Sequence, residues 1–388
     1  MSTPAPKDGQ KENGGAGGSP KPAPSRARLD YVDVGRGFAV LFMIQWHCVH
    51  AWLQDAWRQS PAYEVAQTVG GFAAPGFLFL AGAGVSLRFA AEERKGIAPT
   101  KTALAVAQRG AIVLVLGYLL RAQFAIASGA ARNLLRFDVL QVIGLSMAIG
   151  AGLALLLRAL PRSPTRLLVA GLLVFAATPL MARAFPADTP AWLTAPLVRP
   201  AGQAITGNLA LFPLFPYLGH LLVGTVAGIA WDRGSRSKVP ARVVWVGALV
   251  GLVVCAICFD RSPAYAWLAR RMPGPDGGAM LRYLSRDAVV MIVVGLSWLL
   301  VRFTGPVGRV IGDLGKASMP VYWIHLSIAY LVPQRKLDPT MTVVWMTALT
   351  GAMWVVALVR LGPYERLLRR LRERRSGGAP TPNRERAE

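Results

Sequence analysis

Long apolar stretches separated by short polar segments run through most of the 388-residue chain. A helix needs roughly 20 mostly apolar residues to cross a bilayer. Ten stretches fit this requirement, although the fifth and ninth are short or interrupted, so that nine or eleven spans remain open. The ten cover residues 33–53, 68–87, 103–120, 138–157, 166–182, 209–231, 243–259, 284–301, 318–333 and 341–359. The pattern predicts an all-α, polytopic integral membrane protein with about ten transmembrane helices.

The two ends of the chain differ from the apolar middle. Residues 1–27 are rich in Pro, Gly and Lys, which predicts a disordered tail. Residues 28–360 contain all the predicted spans and are interpreted as one transmembrane domain. Residues 361–388 place leucines on one helical face among many arginines, which predicts a basic amphipathic segment at the lipid surface, followed by disordered residues.

The formal net charge of +23 comes with only 16% charged residues, below the quarter that is typical of soluble domains. The basic residues form short clusters between apolar stretches, a distribution that argues against nucleic-acid binding. With a cytoplasmic N-terminus, 30 of the 43 Lys and Arg residues fall in cytoplasmic segments. The positive-inside rule therefore predicts that both termini are cytoplasmic. The cysteine pair in "CAIC" (255–258) has no second pair of ligands, so we expect helix packing rather than a metal site.

Histidines are the most informative polar residues of the predicted spans. All four in the chain, His47, His50, His220 and His325, fall inside spans. Because an ionisable group inside a bilayer is costly, each is a candidate for function. The structural alternative, a histidine that only packs within the helix bundle, stays open for His220 and His325.

The first predicted span has a register that suits chemistry. Arg36 and His47 are eleven residues apart, close to three helical turns, so both project from one face about 16 Å apart. Asp33 lies within about 40° of that face. An arginine can bind phosphate groups with its fork of donors, and a protected imidazole can act as a general base near neutral pH. The alternative is that Arg36 snorkels to the interface with Asp33 as its ion-pair partner.

Several stretches together resemble a known family. "RLDYVDVGRGFAVLFMIQWH" (28–47) resembles the opening of the transmembrane acyltransferases, in which an Asp/Arg pair leads into a histidine about three turns later. "APGFLFLAGAGVSLR", "LRFDVLQVIGLSMAIG", "FPLFPYLGHLLVGTVAGI" and "ASMPVYWIHLSIAYLV" resemble later blocks of the heparan-α-glucosaminide N-acetyltransferase-like bacterial membrane proteins. The resemblance covers about residues 28–360.

The resemblance implies transfer of an acyl group, in the first place acetyl, from cytoplasmic acyl-CoA to an extracytoplasmic sugar or polysaccharide. It implies a multi-pass protein of the bacterial inner membrane, with no metal. It also implies that His47 is the catalytic histidine and that Asp33 and Arg36 form its supporting motif. In the animal lysosomal enzyme the active histidine lies beyond the first span, whereas this chain has no histidine between Trp52 and the second span. The acceptor atom, amine or hydroxyl, and a role for His50 therefore stay open, as does a homodimer.

Further residues are candidates for the same site. Arg88 and Arg109, at cytoplasmic helix ends, are expected to bind CoA phosphates together with Arg36. Four residues are expected to line a cavity: Tyr322, His325, His220 and Gln141. A proton-coupled transporter that uses the same histidines is the alternative. The absence of a visible internal repeat and the scarcity of acidic residues within the spans count against it.

Overall fold

The computed structural model describes residues 29–158, 164–186, 188–200, 209–260, 262–271, 278–331 and 336–375, so the predicted tail at residues 1–27 lies outside the described residues. Within these ranges the regular structure is helical and no strand is present. The helices are α1 (Asp30–Trp52), α2 (Pro61–Gly70), α3 (Ala73–Glu93), α4 (Pro99–Ser128), α5 (Val139–Arg158), α6 (Pro164–Ala184), α7 (Ala191–Thr194), α8 (Leu214–Arg236), α9 (Pro240–Cys258), α10 (Pro263–Ala269), α11 (Ala279–Phe303), α12 (Gly305–Lys316), α13 (Ser318–Leu331) and α14 (Pro339–Arg375).

Eight helical segments of the described chain are long and apolar enough to cross a membrane. They are Pro61–Glu93, Pro99–Ser128, Val139–Leu156, Pro164–Ala184, Leu214–Arg236, Pro240–Cys258, Ala279–Phe303 and Pro339–Val359. The first and ninth predicted spans are helices too, but they fall outside this set. Polar side chains lower the mean hydropathy of α1, and α13 has only 14 residues. The chain is an all-α, polytopic membrane protein, as predicted.

Several helix boundaries differ from the predicted spans, among them those of the second, third and sixth spans. The second span is divided, because α2 ends at Gly70 and α3 begins at Ala73. A Cβ atom at Gly70 would overlap the side chain of Trp46, so the glycine lets α2 approach α1 closely. The sixth begins at Leu214 instead of residue 209, since prolines precede and follow that residue. The third extends eight residues further than predicted, to Ser128.

The amphipathic helix α12 was not predicted, because residues 302–317 were interpreted as a connection between spans. It packs against the first turns of α1 through two glycines. A Cβ at Gly37 would overlap the carbonyl oxygen of Ile311, and one at Gly315 would overlap the carbonyl oxygen of Asp33. This close backbone approach places Lys316, the last residue of α12, beside the start of α1.

The two ends of the helix bundle can be defined by α1. The Arg36 end contains the starts of α1 and α4 and the ends of α3, α5 and α12. The His50 end contains the opposite termini of α1, α3, α4 and α5, the end of α13 and the start of α14. Here α1 is tied to the segment before α14, because the Gln54 N–H donates to the Leu337 carbonyl at 2.9 Å and the Leu337 N–H donates to the Trp52 carbonyl at 2.7 Å.

Candidate functional site

A cavity of about 440 Å³ lies among α1, α3, α4, α5, α12 and α13. Four basic side chains line it, namely Arg36, Arg88, Arg109 and Lys316. All four belong to helix segments near the Arg36 end. The structure therefore brings together the three arginines that were predicted to bind phosphates, and it adds a lysine that the sequence analysis did not select.

The Asp33–Arg36 pair forms part of the cavity wall. Nη1 of Arg36 donates to Oδ1 of Asp33 at 3.3 Å, and Nη2 donates to the carbonyl oxygen of Leu80 at 3.3 Å. Asp33 is buried, whereas Arg36 is half-buried. A Cβ atom at Gly84 would lie 3.0 Å from Nη2 of Arg36, so the glycine leaves room for the guanidinium. Two acceptors thus orient the arginine on the cavity surface.

The cavity extends deep into the bundle and becomes apolar. On α3 its lining runs from Arg88 back to Phe77, eleven residues or about 16 Å along the helix axis. Val113 of α4 and Val139 of α5 line it as well, and Tyr322 of α13 lies at its inner part. A cationic opening thus leads into a channel with mostly apolar walls.

His47 and His325 form a direct pair beyond Tyr322. Nδ1 of His47 lies 2.9 Å from Nε2 of His325, and the two rings are stacked with centroids 5.2 Å apart. The Tyr322 ring meets His325 edge-on at 5.7 Å between centroids. His325 is fully buried, and His47 is half-buried. The pair therefore lies between the inner part of the cavity and the His50 end.

The hydrogen bonds of His325 define the tautomer of His47. Nδ1 of His325 lies 2.7 Å from the carbonyl oxygen of Val321, which can only accept a hydrogen bond. In the neutral His325 ring, Nδ1 consequently carries the hydrogen and Nε2 the lone pair. Nε2 of His325 then accepts the hydrogen bond from Nδ1–H of His47. The lone pair of His47 is thereby placed on Nε2, the form that a general base or a nucleophile requires.

Tyr330 is the centre of an aromatic cluster at the His50 end. Its ring lies 5.8 Å from His47, 6.5 Å from His50 and 6.3 Å from Phe124, measured between centroids. His50 is exposed and packs beside Trp46 at 5.3 Å. His47 and His50, both on α1, thus meet Tyr330 of α13, a residue that the sequence analysis did not identify as a site candidate.

Basic side chains surround this exposed end of the site. Arg58 donates to the carbonyl oxygen of His50 at 2.8 Å, and Lys336 donates to that of Ala51 at 3.4 Å. Arg58, Lys336 and Arg136 all lie close enough to interact with a charge on His50. Asp55 is the acidic partner of Arg58, at 3.0 Å. The His50 end therefore carries an excess of positive charge next to the histidine pair.

A buried ion pair lies beside the aromatic cluster. Arg121 of α4 pairs with Asp138, and both residues are less than a tenth exposed. Gln141, predicted to line a cavity, is fully buried and accepts a hydrogen bond from the Asp138 N–H at 3.3 Å. It supports the turn that precedes α5 and does not line the cavity described above. The sequence analysis did not identify Arg121 as a polar residue within the bundle, because the predicted span ended one residue before it.

His220 lies in a separate cluster, away from His47. Its Nδ1 is 2.7 Å from Oδ1 of Asp287, which joins α8 to α11, and both side chains are buried. Rings of Phe175, Tyr217 and Tyr283 surround it. His220 does not line the cavity of the Arg36 end. The helices α8 and α1 occupy different parts of the bundle, with α3 packed against both.

The comparison with known protein families agrees with this geometry. The family model described as "Heparan-alpha-glucosaminide N-acetyltransferase, catalytic" matches residues 28–255. The match includes the Asp33–Arg36 pair, His47 and Arg121, whereas His325 and Tyr330 lie beyond it. No curated protein matches this chain. Since the family model covers more than half of the sequence, the chain belongs to the heparan-alpha-glucosaminide N-acetyltransferase catalytic family, a family of transmembrane acetyltransferases.

Proposed function

We propose that the protein transfers an acetyl group from acetyl-CoA, bound at the Arg36 end, to an amine or hydroxyl of a sugar or polysaccharide that enters from the His50 end. Both termini would be cytoplasmic, in agreement with the excess of Lys and Arg in the corresponding segments. The transmembrane domain would cover residues 28–360 and lie in a bacterial inner membrane. The acceptor would be extracytoplasmic.

The cavity supports acetyl-CoA as the donor. CoA carries phosphates at one end and a long, thin arm that ends in the thioester. Arg36, Arg88, Arg109 and Lys316 provide positive charge for the phosphates, and arginine binds phosphate through paired hydrogen bonds. The channel from Arg88 to Phe77 suits the arm in shape and polarity. The thioester would then lie near Tyr322, one helical turn from His325.

The observation that carries the proposal is the free Nε2 lone pair of His47, held between a cation-lined cavity and an open, cationic end. In direct transfer, the acceptor nitrogen or oxygen attacks the thioester carbon while Nε2 takes its proton. The C–S bond then breaks, and the thiolate sulfur takes that proton from His47. The same nitrogen could instead carry the acetyl group as a covalent intermediate. Either route needs the tautomer that His325 selects.

The His50 end supports an acceptor that arrives from the opposite side. His50 offers an exposed ring beside the half-buried Trp46, and Arg58, Arg136 and Lys336 surround His50 with positive charge. Such a surface favours a polar acceptor with negatively charged groups. His50 itself would contact the acceptor instead of performing the proton transfer, because Trp46 and Tyr330 flank its ring and the histidine pair lies one turn deeper.

Acetyl-CoA turnover by the purified protein in lipid nanodiscs tests this function. Release of CoA is measured with and without glucosamine or a polysaccharide acceptor, for the wild type, His47→Ala and His50→Ala. We expect acceptor-stimulated release that disappears in His47→Ala and is only reduced in His50→Ala. Retained activity in a folded His47→Ala variant would refute the role of His47, and a folded wild type without release would refute the reaction.

A further inference from the structure

Arg121 and Asp138 form an ion pair where a membrane protein would be expected to avoid one. Both residues are less than a tenth exposed, and the pair joins the C-terminal part of α4 to the start of α5. Burying two charges costs free energy that the pair recovers only in part. Close packing of α4 on α5 does not depend on it, because Gly110 and Gly144 already bring the two backbones together. The pair therefore calls for a reason other than helix association.

A continuous series of ring contacts connects Arg121 to the histidine pair. The Arg121 guanidinium lies 5.4 Å from the centroid of the Phe124 ring. Phe124 contacts Tyr330, and Tyr330 contacts His47. From the other side, Arg121 lies close enough to interact with a charge on Tyr322, which meets His325. Arg121 thus lies within electrostatic reach of both His47 and Tyr322.

One donor of Arg121 remains unused. Among the residues that the structure describes, Nε–H has no hydrogen-bond acceptor, although the atom is buried. Buried polar atoms without a partner are uncommon, and they call for an explanation such as a ligand. Asp138 balances the charge of the Arg121 guanidinium. Its own Oδ1 accepts a hydrogen bond from the Val139 N–H at 2.7 Å, which holds the carboxylate in place. The guanidinium is consequently held by Asp138, with its buried Nε–H left unpaired.

We propose that Arg121 is a further catalytic residue, whose charge and free Nε–H stabilise the negative oxygen that forms on the thioester carbonyl during acetyl transfer. This role rests on the acetyl transfer proposed above. When the acceptor attacks, a bond forms to the carbonyl carbon and the π electrons move to the oxygen. When that oxygen re-forms the double bond, the C–S bond breaks and the thiolate takes the proton held by His47. Arg121 exchanges no proton, and a fixed, desolvated donor is well suited to this task.

The test separates catalysis from helix packing by removing the whole ion pair. Arg121→Met alone leaves Asp138 as a buried, unpaired carboxylate, and that variant could fail to fold. The double variant Arg121→Met/Asp138→Leu fills the space with apolar side chains, so it is expected to keep the fold. Arg94→Met is the matched control, because Arg94 also pairs with a mostly buried aspartate, Asp232 at 2.8 Å, but lies outside the site.

Both variants and the wild type are compared in nanodiscs for thermal unfolding, for acetyl-CoA binding and for CoA release with glucosamine. We expect the double variant to unfold like the wild type and to bind acetyl-CoA normally, while kcat falls about 100-fold or more, the usual effect of losing an oxyanion donor. Arg94→Met should retain wild-type kcat. Normal kcat in the double variant would overturn the proposal and leave the acetyl transfer intact. No CoA release from the wild type would instead refute the transfer and, with it, this role.

Discussion

The His47–His325 contact yields the sharpest prediction, because replacing His325 changes the tautomer of His47 without touching His47 itself. His325→Leu removes the acceptor for Nδ1–H of His47 and fills its place with an apolar side chain of similar size. His325→Gln keeps an acceptor, since the Gln Oε1 atom can occupy about the position of the histidine Nε2. The two variants therefore differ mainly in whether the 2.9 Å hydrogen bond can form.

The size of the effect follows from that one bond. Leaving a buried donor without its partner costs about 1–3 kcal/mol. Each 1.36 kcal/mol corresponds to a tenfold change in rate, so we expect kcat to fall about 5- to 150-fold in His325→Leu. His325→Gln should retain most of the activity. The KM for acetyl-CoA should change little in both, because the cationic part of the cavity is distant from His325.

The assay is steady-state CoA release in nanodiscs at saturating glucosamine, with thermal unfolding measured on the same samples. A lower kcat in the leucine variant, together with recovery in the glutamine variant, would support the tautomer argument. Equal activities of the two variants at the wild-type level would show that His325 does not set the reactive form of His47, and the reasoning would then be wrong.

Three other predictions follow from separate parts of the structure. Arg109→Gln should raise the KM for acetyl-CoA roughly fivefold and leave kcat unchanged. Steady-state CoA release measures both constants, and the difference in KM between variant and wild type should shrink at high salt. Asp287→Leu should lower the unfolding midpoint, because it leaves the buried Nδ1 of His220 without its 2.7 Å hydrogen-bond partner at a cost of about 1–3 kcal/mol, and His220→Phe/Asp287→Leu should recover most of the loss; equal midpoints in the two variants would contradict this. Gly82→Leu should destabilise the α3–α8 contact by about 1–3 kcal/mol in thermal unfolding, whereas Gly152→Leu, which meets open space, should not.

Local sequence patterns predicted much of the fold and several residues that the structure places around one cavity. Apolar stretches of spanning length predicted the helices, and the spacing of Asp33, Arg36 and His47 on one helix predicted their shared face. The positions of Arg88 and Arg109 at helix ends led to the expectation that they join Arg36, and all three line one cavity. Each of these inferences depended on the geometry of a single helix or on the end of a helix.

The remaining part of the site depends on contacts between distant segments. His47 and His325 are 278 residues apart in sequence, and only the packing of α1 on α13 brings them together. Nothing in the local pattern distinguished His325 from His220, which pairs with an aspartate in another cluster. Arg121 was missed because α4 continues past the predicted end of its apolar stretch.

The amphipathic helix α12 escaped prediction for a different reason. Its 12 residues are too few and too polar for a span, and its role depends on the close contact of Gly37 with α12. A glycine in a helix indicates close packing but does not identify the partner. Only the structure therefore shows that Lys316 lines the cavity.

The central claim is that acetyl transfer runs from the Arg36 end to the His50 end through His47, and sidedness tests it most directly. Proteoliposomes are loaded with glucosamine, washed, and given radiolabelled acetyl-CoA outside. The account predicts labelled N-acetylglucosamine inside the vesicles and free CoA outside, with neither formed by a folded His47→Ala variant. Labelled product that forms only when acetyl-CoA and glucosamine share the same side, or that still accumulates inside with His47→Ala, would contradict it.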